Sequence, residues 1–268
     1  MRKVYGILFA LMLLCIGCQW QLRPGNGTDR RQCLTIQRYD RIESLYLTTG
    51  DYSALQQLNT YYPMQTRLLI ENMLQLGQVN DSDINTKFLN FFQDSTLQHM
   101  LAEVQRQYTD IDDINEELSE AFSRLQEMLP GMELPEVYAQ IGSFDQSILV
   151  DHNTLGISLD KYLGADYPFY VSHYTDQQRR LMTRTMIVPD CLSFYILSLY
   201  PLPPELSQLP EERNRHMGKI QWGVNKATGR RVFDNAHVQA ADSYMQQHPQ
   251  TSFEDFLHDY GVSLKKND

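Results

Sequence analysis

Residues 135–163 read PEVYAQIGSFDQSILVDHNTLGISLDKYL, and at this stretch the periodicity of the chain changes. Apolar and polar residues alternate in short runs broken by Gly142 to Asp145 and by Asp151 to Asn153, which gives two or three short antiparallel strands. The sequence before it, from Thr35 to Met128, is helical in pattern. Asp51 stands where it can cap SALQQLNTYY, Pro63 opens MQTRLLIENMLQL with Gly77 just past its end, and NTKFLNFF and STLQHMLAEVQRQY follow. The clearest helix is DDINEELSEAFSRLQEML, where Ile111, Ile114, Leu118, Phe122, Leu125 and Leu129 recur three and four residues apart, with acids in the first turns and Pro130-Gly131 as the stop. After the strands come a buried helix over residues 188–200, a connection carrying Pro201, Pro203, Pro204 and Pro210, and two last helices over 235–247 and 253–260. Short strands set inside a helical chain predict the α+β class: one mainly helical domain with a small antiparallel sheet.

The chain has 268 residues, 42% of them hydrophobic, enough to fill a sizeable core. A net charge of −10 excludes a globally basic nucleic-acid binder, and no nucleic-acid partner is expected. The first residues, MRKVYGILFALMLLCIGCQW, set the compartment. A basic pair (Arg2, Lys3) precedes an apolar run shorter than the roughly 20 residues that cross a bilayer, so this is a signal peptide. Ile16-Gly17-Cys18 reads as the end of a bacterial lipobox, with Cys18 as the residue to be acylated. Cys15 stands at an irregular position. The predicted organisation is a lipoprotein signal peptide over 1–17, a lipidated N-terminus and tether over 18–34, and the folded domain over 35–268. Processing removes two cations and no acid, so the net charge falls to −12. A triacylated N-terminus holds a soluble domain on a membrane without a spanning helix. Gln19 after Cys18, with no Asp there, points to the periplasmic leaflet of an outer membrane.

Most catalytic and cofactor chemistry finds no motif. The seven histidines form no HxxxH, HxH or HExxH, and Asp151-His152-Asn153 starts an EF-hand-like run that fails at Leu155 and Tyr162. No GxSxG, GxxxxGK[ST] or GxGxxG occurs, so neither a cofactor nor a metal is expected. Asp112-Asp113 and Glu116-Glu117 lie on a solvated helix face. Three features remain. Six basic residues (Arg213, Arg215, Lys219, Lys226, Arg230, Arg231) run without an acid, suggesting an anion patch on a partly ordered loop containing Gly218, Trp222 and Gly223. Tyr162, Tyr167, Phe169, Tyr170 and Tyr174 cluster around Pro168 as the lining of a sugar or peptide groove, or as a core boundary. Asp160 and Asp190, with Tyr162 and Tyr167, are the residues a hydrolase site would use. Cys191, on the apolar helix, is expected as a buried thiol; nothing in the sequence fixes its distance from Cys33.

The order of segments resembles a known family. The residues that carry it are the lipobox at Cys18, Tyr39-Asp40-Arg41-Ile42-Glu43, Glu117-Leu118 through Phe122, Leu129-Pro130 and Leu134-Pro135. They continue with Gly156-Ile157-Ser158-Leu159-Asp160-Lys161-Tyr162-Leu163-Gly164, Tyr167-Pro168, and the stretch from Arg180 to Asp190. Together they resemble the gliding-motility lipoprotein family GldB of Bacteroidetes. The resemblance implies an outer-membrane lipoprotein associated with motility and secretion machinery. Strands followed by a buried helix are also similar to a zincin-type peptidase, but PDCLSFYIL carries neither His nor Glu, which implies a degenerate, non-catalytic scaffold. Asp94-Ser95-Thr96 is similar to the O-glycosylation acceptor pattern of that phylum. The expected role is therefore a non-enzymatic lipoprotein that binds envelope proteins, with a peptidase-like or glycan-acting hydrolase, or an envelope ligand-binding protein, as alternatives.

Overall fold

The computed structural model describes residues 34–260, which lie within one compact unit spanning Cys33–Asp268. The readings of Cys15, Cys18 and Cys33 fall outside the described residues. The chain enters along the sheet: Gln37 bridges Tyr138, with its N–H donated to Val137 O (2.8 Å) and its carbonyl accepting from Ala139 N (2.9 Å). Helix α1 (Tyr39–Thr49) follows, then α2 (Tyr52–Tyr61), capped by the Asp51 carboxylate on Ser53 N and Ala54 N. Helix α3 (Pro63–Arg67) passes into a π-helical turn, Leu68–Met73, which brings Leu68, Leu69, Ile70 and Met73 all inside. Next come α4 (Ile84–Phe91), α5 (Ser95–Gln107), capped by Asp94, and α6 (Asp112–Met128). The six apolar residues spaced along 111–129 are all buried, each worth about 1.5–3 kcal/mol of transfer free energy.

The strands are β1 (Glu136–Gln140), β2 (Ile148–Asp151) and β3 (Thr154–Ser158), in the order β1-β3-β2. The sheet is mixed, which corrects the antiparallel expectation: β2 pairs antiparallel with β3, but β1 pairs parallel with it, Tyr138 opposite Gly156. The physical reason is in the connections. A tight hairpin joins β2 to β3, and β3 folds back into the gap between β1 and β2, so residues 141–153 act as the crossover that a parallel pair needs. A period of two is the same in either ladder, so side-chain alternation carries no information about direction.

Beyond the sheet lie the short helices α7 (Pro168–His173) and α8 (Asp176–Arg179), then the buried α9 (Ile187–Leu199), α10 (Pro204–Ser207), α11 (Pro210–Thr228), α12 (Ala236–Gln247) and α13 (Phe253–His258). Helix α9 packs between α6, α11 and the strands β2 and β3, and α11 packs on α6, α12 and α13. Here lies the second correction: most of the basic stretch expected as a partly ordered loop is α11, a helix of 19 residues that carries Arg213, Arg215, Lys219 and Lys226, while Arg230 and Arg231 lie just past its end. Its glycines serve packing rather than looseness. A Cβ on Gly218 would sit 2.5 Å from His237 Cβ and 2.8 Å from the His237 carbonyl carbon, and one on Gly223 would sit 2.2 Å from the Phe253 ring. A mid-helix glycine costs about 1 kcal/mol against alanine, and the close approach of α12 and α13 offsets it.

Gly218→Ala is the direct check. The overlap falls on backbone of α12, so overpacking of about 1–3 kcal/mol should exceed the gain in helix propensity. The expected result is a fall of roughly 3–8 °C in thermal midpoint. A variant that melts at or above the wild type would show that α12 does not pack this closely.

Candidate functional site

The segment Leu159-Asp160-Lys161-Tyr162-Leu163-Gly164 follows β3 directly, opening with a 3-10 turn over Leu159–Lys161. Asp160 is fully buried, and its two carboxylate oxygens accept from Gly142 N and Phe144 N, each at 2.6 Å. Beside it, Lys161 Nζ donates to Phe144 O (2.9 Å) and to Tyr174 Oη (3.2 Å). These two side chains therefore hold the N–H and C=O groups of the loop between β1 and β2. That loop needs holding, because Ser143 (φ 53°) and Phe144 (φ 65°) are consecutive left-handed residues that are not glycine. Each costs about 1–2 kcal/mol, and charge-assisted hydrogen bonds of about 1.5–3 kcal/mol oppose that cost.

The rest of the segment bonds outward in the same manner. Tyr108 Oη donates to Tyr162 O (2.6 Å), Gln107 Nε2 donates to Leu163 O (2.9 Å), and Tyr162 Oη donates to Asp190 Oδ2 (2.8 Å) in the first turn of α9. Tyr170 Oη donates to Asp160 O and accepts from Leu163 N at 3.2 Å. From α1, Glu43 adds a second prop: its Oε2 accepts from Ile141 N at 2.9 Å. Three of the four positions that follow β1, Ile141, Gly142 and Phe144, are thus tied to carboxylates from two different elements.

Burial sets the electrostatics here. It pushes the Asp160 carboxyl up from its ordinary value, against the pull of the Gly142 and Phe144 amides. Glu43 is raised well above the usual range by burial, partly opposed by the Ile141 amide, with Asp40 and Asp160 adding like-charge repulsion. Asp190 is raised by burial to about 6, against the hydrogen bond from Tyr162. Burial likewise raises the Cys191 thiol well above its ordinary value, and Cys191 is fully buried as expected of it. Among the described residues, no group of three or more His, Cys, Asp or Glu side chains is placed to hold a metal ion.

The residues singled out from the sequence do not share one groove. Tyr162 and Asp190 meet, whereas Asp160 points the other way, into the loop. Tyr167 packs edge-on against Tyr170 (5.0 Å between rings) and lines a surface cavity of about 620 Å3 with His99, Glu103, Phe169 and His173. Ser95 sits on that cavity's rim, exposed, and the adjoining Asp94 caps α5. The six basic residues each have partners: Arg213 donates to Ser207 O, Arg215 pairs with Glu212, and Lys219 caps the C-terminal end of α13 through Phe256 O and Asp259 O. Lys226 pairs with Asp242, Arg230 with Glu117, and Arg231 with Asp234. Arg184 was missed by the sequence reading. It forms a bidentate pair with Asp113 (2.9 and 2.5 Å) and stacks over Tyr108, joining the entry of α9 to α5 and α6. The acids of α6 signalled such partners, but nothing in their spacing said which arginines would arrive.

Comparison with known proteins adds one finding: the family model described as gliding motility protein GldB matches residues 28–217. That stretch holds the strands, the Asp160 loop anchor, Asp190, and α11 as far as Met217. No curated protein and no solved structure matches the chain.

Two outcomes follow from the geometry. Asp160→Asn leaves one acceptor oxygen for two inward N–H groups, so a loss of about 3 kcal/mol is expected, or roughly 6–12 °C in thermal midpoint. Faster hydrogen exchange at Gly142 and Phe144 should accompany it, and unchanged melting with unchanged exchange would refute the anchor. For Asp190, the folded value of about 6 lies above the ordinary 3.8, so the folded chain holds the proton more tightly. Its contribution is complete below the unfolded value and is lost as pH rises through about 6, a difference of up to about 3 kcal/mol. Glu43 and Asp160 act in the same sense. Melting measured between pH 4 and 7 should therefore fall less steeply in Asp190→Asn, which keeps an acceptor for Tyr162 and never ionises.

Proposed function

The chain belongs to the gliding motility protein GldB family, and from that membership we propose that it is a non-catalytic lipoprotein anchored through Cys18. It faces the periplasm from the outer membrane and supports an envelope complex of the motility or secretion kind through protein contacts. One observation supports the non-catalytic reading: residues 159–164, among those that carry the family resemblance, are occupied in holding the fold. Asp160 is fully buried with both oxygens taken, and Tyr162 is 1% exposed, so neither presents a reacting atom to a substrate. The same is true of Tyr39-Asp40-Arg41-Ile42-Glu43. There Asp40 pairs with Arg38, Arg38 and Arg41 donate to the carbonyl of Tyr108 at the end of α5, and Glu43 holds Ile141.

The anchor rests on the lipobox. Among the described residues no helix is long and apolar enough to cross a membrane, so membrane attachment of the folded part is assigned to acyl chains, which contribute about 0.8 kcal/mol per buried methylene.

Mass analysis of the mature protein from cell membranes should find a first residue Cys18 carrying acyl chains, and Cys18→Ser should release the protein from the membrane fraction. A mature chain beginning at an unmodified Gln19, or one retaining Met1, would overturn the anchor. Peptide and peptidoglycan hydrolysis assays on the purified protein should be silent. Hydrolysis that disappears in Asp190→Asn, whose fold is checked by melting, would establish the enzymatic alternative instead.

A further inference from the structure

Past residue 217, where the family match ends, α11, α12 and the loop between them enclose a groove of about 500 Å3 lined by Trp222, Lys226, Arg230, Arg231, Gln239 and Asp242. We propose that this groove binds a small polar ligand through a phosphate or carboxylate group, a ligand the size of a sugar phosphate or a uronic acid.

Charge is the first ground. Three cations line it with one carboxylate, Asp242, while Glu117 and Asp234, which pair with Arg230 and Arg231, are not among the lining residues. The cavity of about 330 Å3 between α11, α12 and α13 instead balances Arg215 and Lys219 against Glu211 and Asp259.

Rigidity is the second. Asn225 fixes the loop that carries Arg230 and Arg231: its Nδ2 donates to Phe233 O (2.8 Å), and its Oδ1 accepts from Val232 N (2.8 Å) and Phe233 N (3.0 Å). Asp242 fixes the floor. Its Oδ1 accepts from Trp222 Nε1 (2.8 Å) and Lys226 Nζ (3.3 Å), and its Oδ2 accepts from Gln246 Nε2 (2.7 Å). With three donors on it, this carboxylate positions Lys226, whose ammonium lies 5.2 Å above the Trp222 ring, rather than repelling an incoming anion. Arg230 is held on the other wall by Glu117 (2.6 Å) and Thr185 O (2.8 Å).

Availability is the third. The side chains of the Lys226–Asp242 pair are 51% and 40% exposed, and those of the Arg231–Asp234 pair 65% and 50%. Exposed pairs contribute little, and each cation keeps N–H donors that these bonds do not use. An arginine fork beside a lysine matches the oxygen geometry of phosphate and carboxylate. The volume lies within the roughly 300–1,000 Å3 typical of ligand sites, and Gln239 and Ser243 add neutral hydrogen-bonding side chains that suit a hydroxylated ligand.

Trp222 gives the readout, since the chain has two tryptophans and the full chain with Trp20→Phe reports on the groove alone. Glucose 6-phosphate and glucuronate, titrated at low ionic strength, should change Trp222 fluorescence saturably for at least one of them, with affinity falling steeply toward about 150 mM salt. Glucose should give no response. Lys226→Met combined with Arg231→Gln should weaken binding about tenfold or more with an unchanged melting midpoint, while Arg213→Gln, outside the groove, should leave it unaltered. A folded wild type with no saturable response to either anionic sugar overturns the proposal, as does binding that survives the double substitution. Inorganic phosphate binding as tightly as either sugar would overturn the sugar-sized ligand.

Discussion

Both oxygens of one buried carboxylate, Asp160, are bonded to the backbone of a loop that could not keep its shape alone. Two consecutive left-handed residues, Ser143 and Phe144, shape the connection after β1, and β3 lies between β1 and β2. The helices depend on the same point. Phe144 stacks on Phe169 of α7 at 4.0 Å, Tyr162 reaches the first turn of α9, and Tyr108 at the end of α5 holds the carbonyl of Tyr162. A six-residue segment thereby touches strands, the helices that precede them and the helices that follow. Its sequence is constrained by geometry, because each of these contacts fixes a different element.

Charge serves a parallel purpose among the helices. Arg38 and Arg41 close the C-terminal end of α5, Arg184 joins Asp113, Arg230 joins Glu117, and Arg124 of α6 donates to Ala227 O of α11. Several of these pairs are exposed and individually weak. Their value lies in direction: each connects elements far apart in sequence, and each uses an arginine, whose planar fork bonds a carboxylate and a carbonyl together. The same arrangement lines the groove of α11 and α12 with Lys226, Arg230 and Arg231, each fixed in place by a carboxylate that does not use all of its donors.

Much of the helical architecture was legible in the chain itself. Asp51 is a cap in the structure as its position implies, the six apolar residues of 111–129 all turn inward, and the breaks at 142–145 and 151–153 separate the strands. The candidate site was legible only in part. Asp160, Tyr162 and Asp190 stand out chemically in the sequence, and in the structure both oxygens of Asp160 hold the loop after β1. Charged residues beside aromatic ones look alike in sequence whether they face a cleft or a core, because burial depends on partners distant in the chain.

What the sequence determined by itself is whatever depends on near neighbours: helix periodicity, caps and strand breaks. Those are local because a turn of helix or a strand pair of side chains spans only a few residues. Strand direction, the helical state of 210–228 and the fate of each charge were decided by tertiary structure. A period of two is blind to direction, and Gly218 and Gly223 look like breakers until His237 and Phe253 press against them. Likewise the run from Arg213 to Arg231, which contains no acid, finds acids on α6, α11, α12 and the loop before α12 only once the helices have packed.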